Sequence, residues 1–237
     1  VATDEYRNRV IQLGEQPERV FTVGGLGLDS LYKIKLMSRE ALEASLDFKF
    51  MSRNLLITFH PVTLKKNASA AELAELLTVL DSLKDTGLIF TLPNSDTEGR
   101  DLIRMVDTFV SQHPNARSYP SLGQLRYLSC MNEVDGVVGN SSSGLIEAPT
   151  LRKGTINIGD RQAGRIKADS VIDCLPERND IMRALDRLYS HNFLEMLRTV
   201  CNPYGEPGAS EKIIAILGSL DLNVLKKKFH KVDPICE

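Results

Sequence analysis

The chain has 237 residues, 42% of them hydrophobic and 25% charged, enough to bury a sizeable core without disulfide or metal staples. Its 29 basic and 31 acidic side chains leave a formal net charge of -2, which removes any global electrostatic case for binding nucleic acid or an anionic membrane. An anion site, if the chain has one, must be local.

The cysteines at 130, 174, 201 and 236 lie far apart, with no C-x-x-C pair and no histidine at metal-ligand spacing. They read as reduced thiols of a cytoplasmic protein, and no metal or other cofactor is expected. No segment approaches the ~18 continuous apolar residues of a membrane span, and the opening VATDEYRNRV lacks the apolar core of a signal peptide.

Along the chain, residues 1–14 read as a helix, with Tyr6, Val10 and Leu13 on one side and Gly14 as the stop. EQPE then leads into a first predicted strand, RVFTVG (19–24). GGLGLD (24–29) has only a superficial likeness to a dinucleotide fingerprint, because no acidic residue follows the second strand to support it. It reads instead as a structural turn where chain segments approach closely. NLLITFH (54–60), GLIFTL (87–92), VDGVVG (134–139) and GTINIG (154–159) are short, nearly continuous apolar runs, the pattern of strands buried on both faces. Helical patterns separate them. SAAELAELLTVLDSLKD places Leu73, Leu76, Leu77, Leu80 and Leu83 at helical spacing behind a Ser69–Glu72 capping box. SDTEGRDLIRMVDTFVSQH does the same with Leu102, Met105, Val106, Phe109 and Val110 behind Ser95 and Glu98. Alternating strands and helices predict an α/β fold with a parallel sheet wrapped by helices. The tail reads as a helix over 209–220, followed by the lysine-rich NVLKKKFHK, a solvated face.

In such a sheet, ligands bind beyond the carboxyl ends of the strands. The residues there are polar: His60 after the second predicted strand, Asn94 after the third, Asn140 to Ser143 after the fourth, and Arg161 with Arg165 after the fifth. GNSSSGLIEAP (139–149) is the most distinctive stretch. Asn140 or Ser141 as a helix cap contributes about 1 kcal/mol and needs no ligand. Three serines plus Gly144 also form a turn that offers N–H groups and hydroxyls to a phosphate, while the missing lysine excludes a Walker P-loop. Glu147, one helical turn on, suits either the helix dipole or the hydroxyls of a ribose. On the residues alone both readings stand open. A serine hydrolase competes, since G-N-S-S-S-G is near the G-x-S-x-G elbow and Asp173 and His191 follow downstream. The glycine spacing is off by one residue, however, and no strand precedes His191. Pro61 holds His60 extended at its strand's end, in a structural or a catalytic role.

ITFHPVT, LPNSD, VGNSSSGLIEAP, NIGDRQAGR and NPYGEPGASEKI together, in this order over about residues 1–220, resemble the C-terminal half of a hydrolysing UDP-N-acetylglucosamine 2-epimerase of the bacterial sialic-acid type. The resemblance implies a Rossmann-like parallel sheet with helices on both faces, one half of a GT-B-like two-domain fold with its active site in the cleft between the halves. By motif, Ser141 and Ser142 are implied to hold the diphosphate and Glu147 the ribose. His60 is implied to sit against the departing diphosphate as a protonated histidine, with Arg161 near the same cleft and Asn94 on the sugar side. The implied reaction removes the C2 proton, expels UDP to leave a glycal, and adds water with inversion at C2, releasing N-acetylmannosamine. The substrate is a UDP-sugar, and neither nucleic acid nor membrane is a partner. The full-length enzyme is expected to be a homo-oligomer.

Residues 1–17 then read as the last helix and linker of a preceding domain, 18–208 as the UDP-binding domain, and 209–237 as a tail that braces the other half. No carboxylate pair for C2 chemistry follows the strands, so this chain alone is expected to be inactive. The alternatives are a hydrolysing epimerase for another UDP-sugar, such as a diacetamido-trideoxy sugar, a GT-B glycosyltransferase, and a non-catalytic UDP-sugar sensor.

Overall fold

A computed structural model of the protein describes residues 1–62, 68–93, 97–220 and 228–231. In chain order its elements are α1 Asp4–Gln12, α2 Leu28–Lys33, α3 Arg39–Leu46, β1 Arg53–Thr58, α4 Ala68–Asp81, β2 Thr86–Thr91, α5 Thr97–Gln112, β3 Ala116–Tyr119, α6 Gly123–Glu133, β4 Gly136–Gly139, α7 Ser143–Ile146, β5 Gly154–Ile158, β6 Val171–Cys174, α8 Arg178–Leu188, α9 His191–Leu197 and α10 Ala209–Ser219. They form two compact units, Lys35–Cys201, and Val1–Ile34 together with Asn202–Glu237. The units divide at 34 and 201, where the sequence reading drew its lines at 17 and 208. Among the described residues no helix is long and apolar enough to cross a membrane.

The larger unit is built on a six-stranded sheet in the order β3-β2-β1-β4-β5-β6, parallel throughout. The two-residue period of a strand explains why helices cover both faces. Leu55, Ile57, Leu88, Phe90, Val138 and Ile156 point to one side and pack against Leu73, Leu76, Leu102, Phe109, Ile181 and Phe193 of α4, α5, α8 and α9. Leu56, Ile89 and Val137 point to the other, against Leu42 and Leu46 of α3 and Cys130 and Met131 of α6. Each fully buried leucine or phenylalanine contributes about 1.5–3 kcal/mol, so the two layers lock the strand register.

The sheet is Rossmann-like, as the alternating pattern and the resemblance imply, but its strand inventory differs from the sequence reading. RVFTVG is not a strand. Only Val20 and Val23 of its apolar residues are buried, and its backbone bonds to the start of the chain: the Val1 amino group donates to Phe21 O at 2.8 Å and Val23 N–H to Val1 O at 3.0 Å. The edge strands β3 (ARSY) and β6 (VIDC) were missed, because four residues with mixed burial give no continuous apolar run. Ser69 lies inside α4 instead of capping it, and its hydroxyl accepts the Val62 N–H at 2.9 Å. Asn94, the predicted cap Ser95 and most of the lysine-rich tail lie outside the described residues.

In the smaller unit, Thr3 caps α1, accepting the Tyr6 N–H at 3.2 Å, and Gly14 stops it with φ of +99°. GGLGLD is a close-approach turn: Gly25 N–H donates to Tyr204 O at 2.8 Å, and a Cβ on Gly25 would lie 3.3 Å from that of Tyr204. Asp29 caps α10 from far along the chain. Its carboxylate accepts the N–H groups of Gly208, Ala209 and Ser210 at 2.7, 3.0 and 2.8 Å, and the Ser210 hydroxyl as well.

Candidate functional site

In a doubly wound sheet with this strand order, the crevice opens where crossovers leave for opposite faces, between β1 and β4. Gly139 ends β4 there with φ of +131°, and a Cβ on it would lie 2.0 Å from the Thr58 carbonyl oxygen. Only glycine permits this approach. The next residue, Asn140, is fully buried and ties the two strand ends together. Its Oδ1 accepts the His60 N–H at 2.7 Å, its Nδ2 donates to His60 O at 2.8 Å, and its own N–H donates to Thr58 O at 3.1 Å. Asn140 is therefore a staple and not a helix cap.

The Asn140 carbonyl in turn accepts Arg161 Nη1 at 3.0 Å and Gln162 Nε2 at 2.8 Å, which brings the loop after β5 to the crevice. His60 is half-buried beside it. Burial first, and the Arg161 charge second, lower the pKa of the ring below that of a free imidazole. The ring therefore favours its neutral form, whereas the role implied for it requires a proton.

The serines are half-buried. Ser142 opens α7 without making a side-chain cap; Ser143 N–H meets Ser141 Oγ at 3.4 Å, and the hydroxyls of Ser141 and Ser143 lie 3.0 Å apart. Ser143 Oγ also meets the Tyr127 phenol of α6 at 2.5 Å. Gly144 lets α7 rest directly on β5, since a Cβ there would lie 2.5 Å from Thr155 Cγ2, and the Thr155 hydroxyl donates to Gly144 O at 2.8 Å. Glu147 follows at the end of α7. Its Oε2 is buried without a hydrogen-bond partner, and burial pushes its pKa up to about 7. Such a carboxyl must keep a proton or receive hydrogen bonds from something else.

The fold thus gathers His60, Asn140, the serine turn and Arg161 at one crevice, with Glu147 one helical turn on. A guanidinium, hydroxyls and backbone donors suit a multiply charged anion, and the unsatisfied carboxylate suits a neighbouring group with hydroxyls. No hydrolase triad forms among the described residues: Asp173 is held by Asn157 at 2.7 Å and Lys167 at 2.8 Å, and His191 opens α9. Gln162 and Tyr127 escaped the sequence reading because their partners lie 22 and 16 residues away, with no local pattern to reveal them.

The sequence model of the family described as UDP-N-acetylglucosamine 2-epimerase matches residues 1–218. The chain is similar to polysialic acid biosynthesis protein P7 of Escherichia coli, 36% identical over 217 residues, 91% of this chain and 55% of that protein. It is also similar to the GDP/UDP-N,N'-diacetylbacillosamine 2-epimerase (hydrolyzing) of Campylobacter jejuni, 36% identical over 194 residues, 81% of this chain and 50% of that protein. The chain spans about half the length of these curated relatives. Among solved structures, the S. aureus MnaA–UDP co-structure matches with a TM-score of 0.72 at 15% identity, over 98% of this chain and 61% of that one. At that identity the likeness carries the fold, the Rossmann-like half of a GT-B-like architecture.

Proposed function

The chain belongs to the UDP-N-acetylglucosamine 2-epimerase family, and from that premise we propose that its larger unit is the nucleotide-diphosphate-binding half of a hydrolysing UDP-sugar 2-epimerase. The observation that carries the reading is Glu147, a carboxylate with a buried, unpartnered oxygen one turn beyond a serine-rich loop at the sheet's crevice. Ser141 and Ser142 hold the diphosphate through hydroxyls and N–H groups, Arg161 supplies countercharge, and Glu147 accepts hydrogen bonds from ribose hydroxyls. By the resemblance alone, Asn94 is assigned to the sugar side.

In the proposed reaction a base takes the C2 proton while the C1–O bond breaks, and the electron pair leaves with UDP, giving the glycal. Water then delivers hydroxyl to C1 and a proton to C2 from the opposite face, yielding N-acetylmannosamine. Negative charge grows on the diphosphate as the bond breaks, so donors fixed in advance favour the transition state over the ground state. His60 enters this scheme neutral and gains its proton when the diphosphate arrives, because a dianion beside the ring offsets both burial and Arg161. The acid and base at C2 belong to the remaining length of the full enzyme, so this chain alone binds UDP and does not turn over.

A second reading concerns the sugar. The relatedness to a diacetylbacillosamine 2-epimerase at the same 36% identity as the polysialic acid protein favours a diacetamido-trideoxy sugar equally. Calorimetric titration of the chain with uridine, UMP and UDP tests the site, and affinity should rise in that order. Equal affinity for all three would remove the diphosphate cradle. Assay of the full-length enzyme with both UDP-sugars decides the substrate by which free sugar accumulates.

A further inference from the structure

Behind the serine turn lie two series of hydroxyls. Thr91 at the end of β2 and Thr58 at the end of β1 share a hydrogen bond, Oγ1 to Oγ1 at 2.5 Å. A separate series starts at Tyr127 of α6 and runs to the serine turn. The phenol meets Ser143 Oγ at 2.5 Å, and Ser143 Oγ meets Ser141 Oγ at 3.0 Å. This second series runs from α6 to the loop after β4.

Each hydroxyl carries one proton, so along it each donates once and the whole series points one way or the other. Neighbouring bonds polarise one another and reinforce that direction. Burial raises the Tyr127 pKa, so the phenol keeps its proton through the physiological range. An anion at Ser141 selects the direction. When Ser141 donates to the anion, Ser143 donates to Ser141 and Tyr127 to Ser143.

We propose that Tyr127 is a positioning residue for the diphosphate site, its phenol holding the serine hydroxyl protons aimed so that Ser141 presents a donor to the ligand. This rests on the diphosphate reading of the serines. A phenyl ring would fill the same space on α6; the oxygen adds the direction. Tyr127 has no part in contacting the ligand and acts only through Ser143.

The test is a double-mutant cycle on the 237-residue chain, titrating wild type, Tyr127→Phe, Ser143→Ala and the double variant with UDP and with uridine. Tyr127→Phe is expected to weaken UDP about 3- to 10-fold, the worth of one hydrogen bond, and to leave uridine unchanged. In the Ser143→Ala background the same change should cost nothing further. An unchanged UDP affinity in Tyr127→Phe, an equal loss for uridine, or an undiminished loss in the Ser143→Ala background overturns the proposal while the diphosphate reading stands. Absence of UDP binding by the wild-type chain overturns that reading, and this proposal with it.

Discussion

Asp29 and Glu147 both stand beside helix ends, each in its own compact unit, and their surroundings differ in every respect that matters to a carboxylate. Asp29 is met by the Ser210 hydroxyl and by the N–H groups of Ser210, Gly208 and Ala209, and these hold its carboxyl well below the usual carboxylate range. Glu147 is only half-buried as a residue, yet its Oε2 is out of contact with water and has no partner, and its pKa rises to about 7. A fold that satisfies one buried acid with four donors and leaves another without has spent its donors on architecture in the first case only. On the proposed reading, the second acid is where a ligand's hydroxyls supply the missing donors.

The sharpest way to break that contrast is to remove Asp29. Asp29→Ala strips the first turn of α10 of its cap and should lower the thermal midpoint by about 5 °C, the largest loss in this set. The chain has no tryptophan, so circular dichroism follows the transition. Because the folded pKa of Asp29 is depressed, its contribution is present above the ordinary carboxylate pKa and lost only as pH falls through the strongly acidic range. A variant as stable as wild type would demote Asp29 to a bystander.

Glu147→Gln should act in the opposite sense. The folded pKa of Glu147 lies above its unfolded value of 4.5, so the stability tied to its proton is fully present below pH 4.5 and lost as pH rises through about 7. Replacement by glutamine should therefore stabilise the protein at pH 8.5, by up to about 3 kcal/mol, and change little near pH 4.5. Urea midpoints at the two pH values measure this, and the same variant should bind uridine more weakly. A loss of stability at pH 8.5 would mean that Glu147 is satisfied within the protein.

Two smaller effects sharpen the contrast from the ligand side. Ser141→Ala with Ser142→Ala should weaken UDP binding by about 1–3 kcal/mol without altering unfolding, the cost of bonds to a charged group. Unchanged affinity would return the serines to plain capping. His60 should take up a proton when UDP binds, visible as a dependence of the binding heat on buffer ionisation that vanishes in His60→Ala. Identical heats across buffers in the wild type would show that the ring stays neutral.

The sequence made the interior of this fold legible and hid its rim. β1, β2, β4 and β5 are flanked on both sides, so their runs are continuously apolar and stand out. β3 and β6 close the sheet with one neighbour each, and their mixed residues carry no such mark. RVFTVG has the composition of a strand, but the Val1 end of the chain takes its hydrogen bonds. The same limit applies at the site. Ser141, Ser142 and Glu147 belong to one local motif and were visible as such. Asn140 was visible only as a polar residue, since its staple reaches a partner 80 residues away, and the phenol of Tyr127 gave no signal at all.

The close approach at Gly139 has a kinetic consequence. With the Thr58 carbonyl where any side chain on residue 139 would be, and with Asn140 bonded to both backbone groups of His60, the floor of the crevice has a fixed width. On the proposed reading, a ligand that lands there meets donors already in position, so no sheet rearrangement stands between encounter and binding. Association at this floor is then governed by diffusion and by shedding of water from the anion, and differences in affinity among variants should surface as differences in residence time.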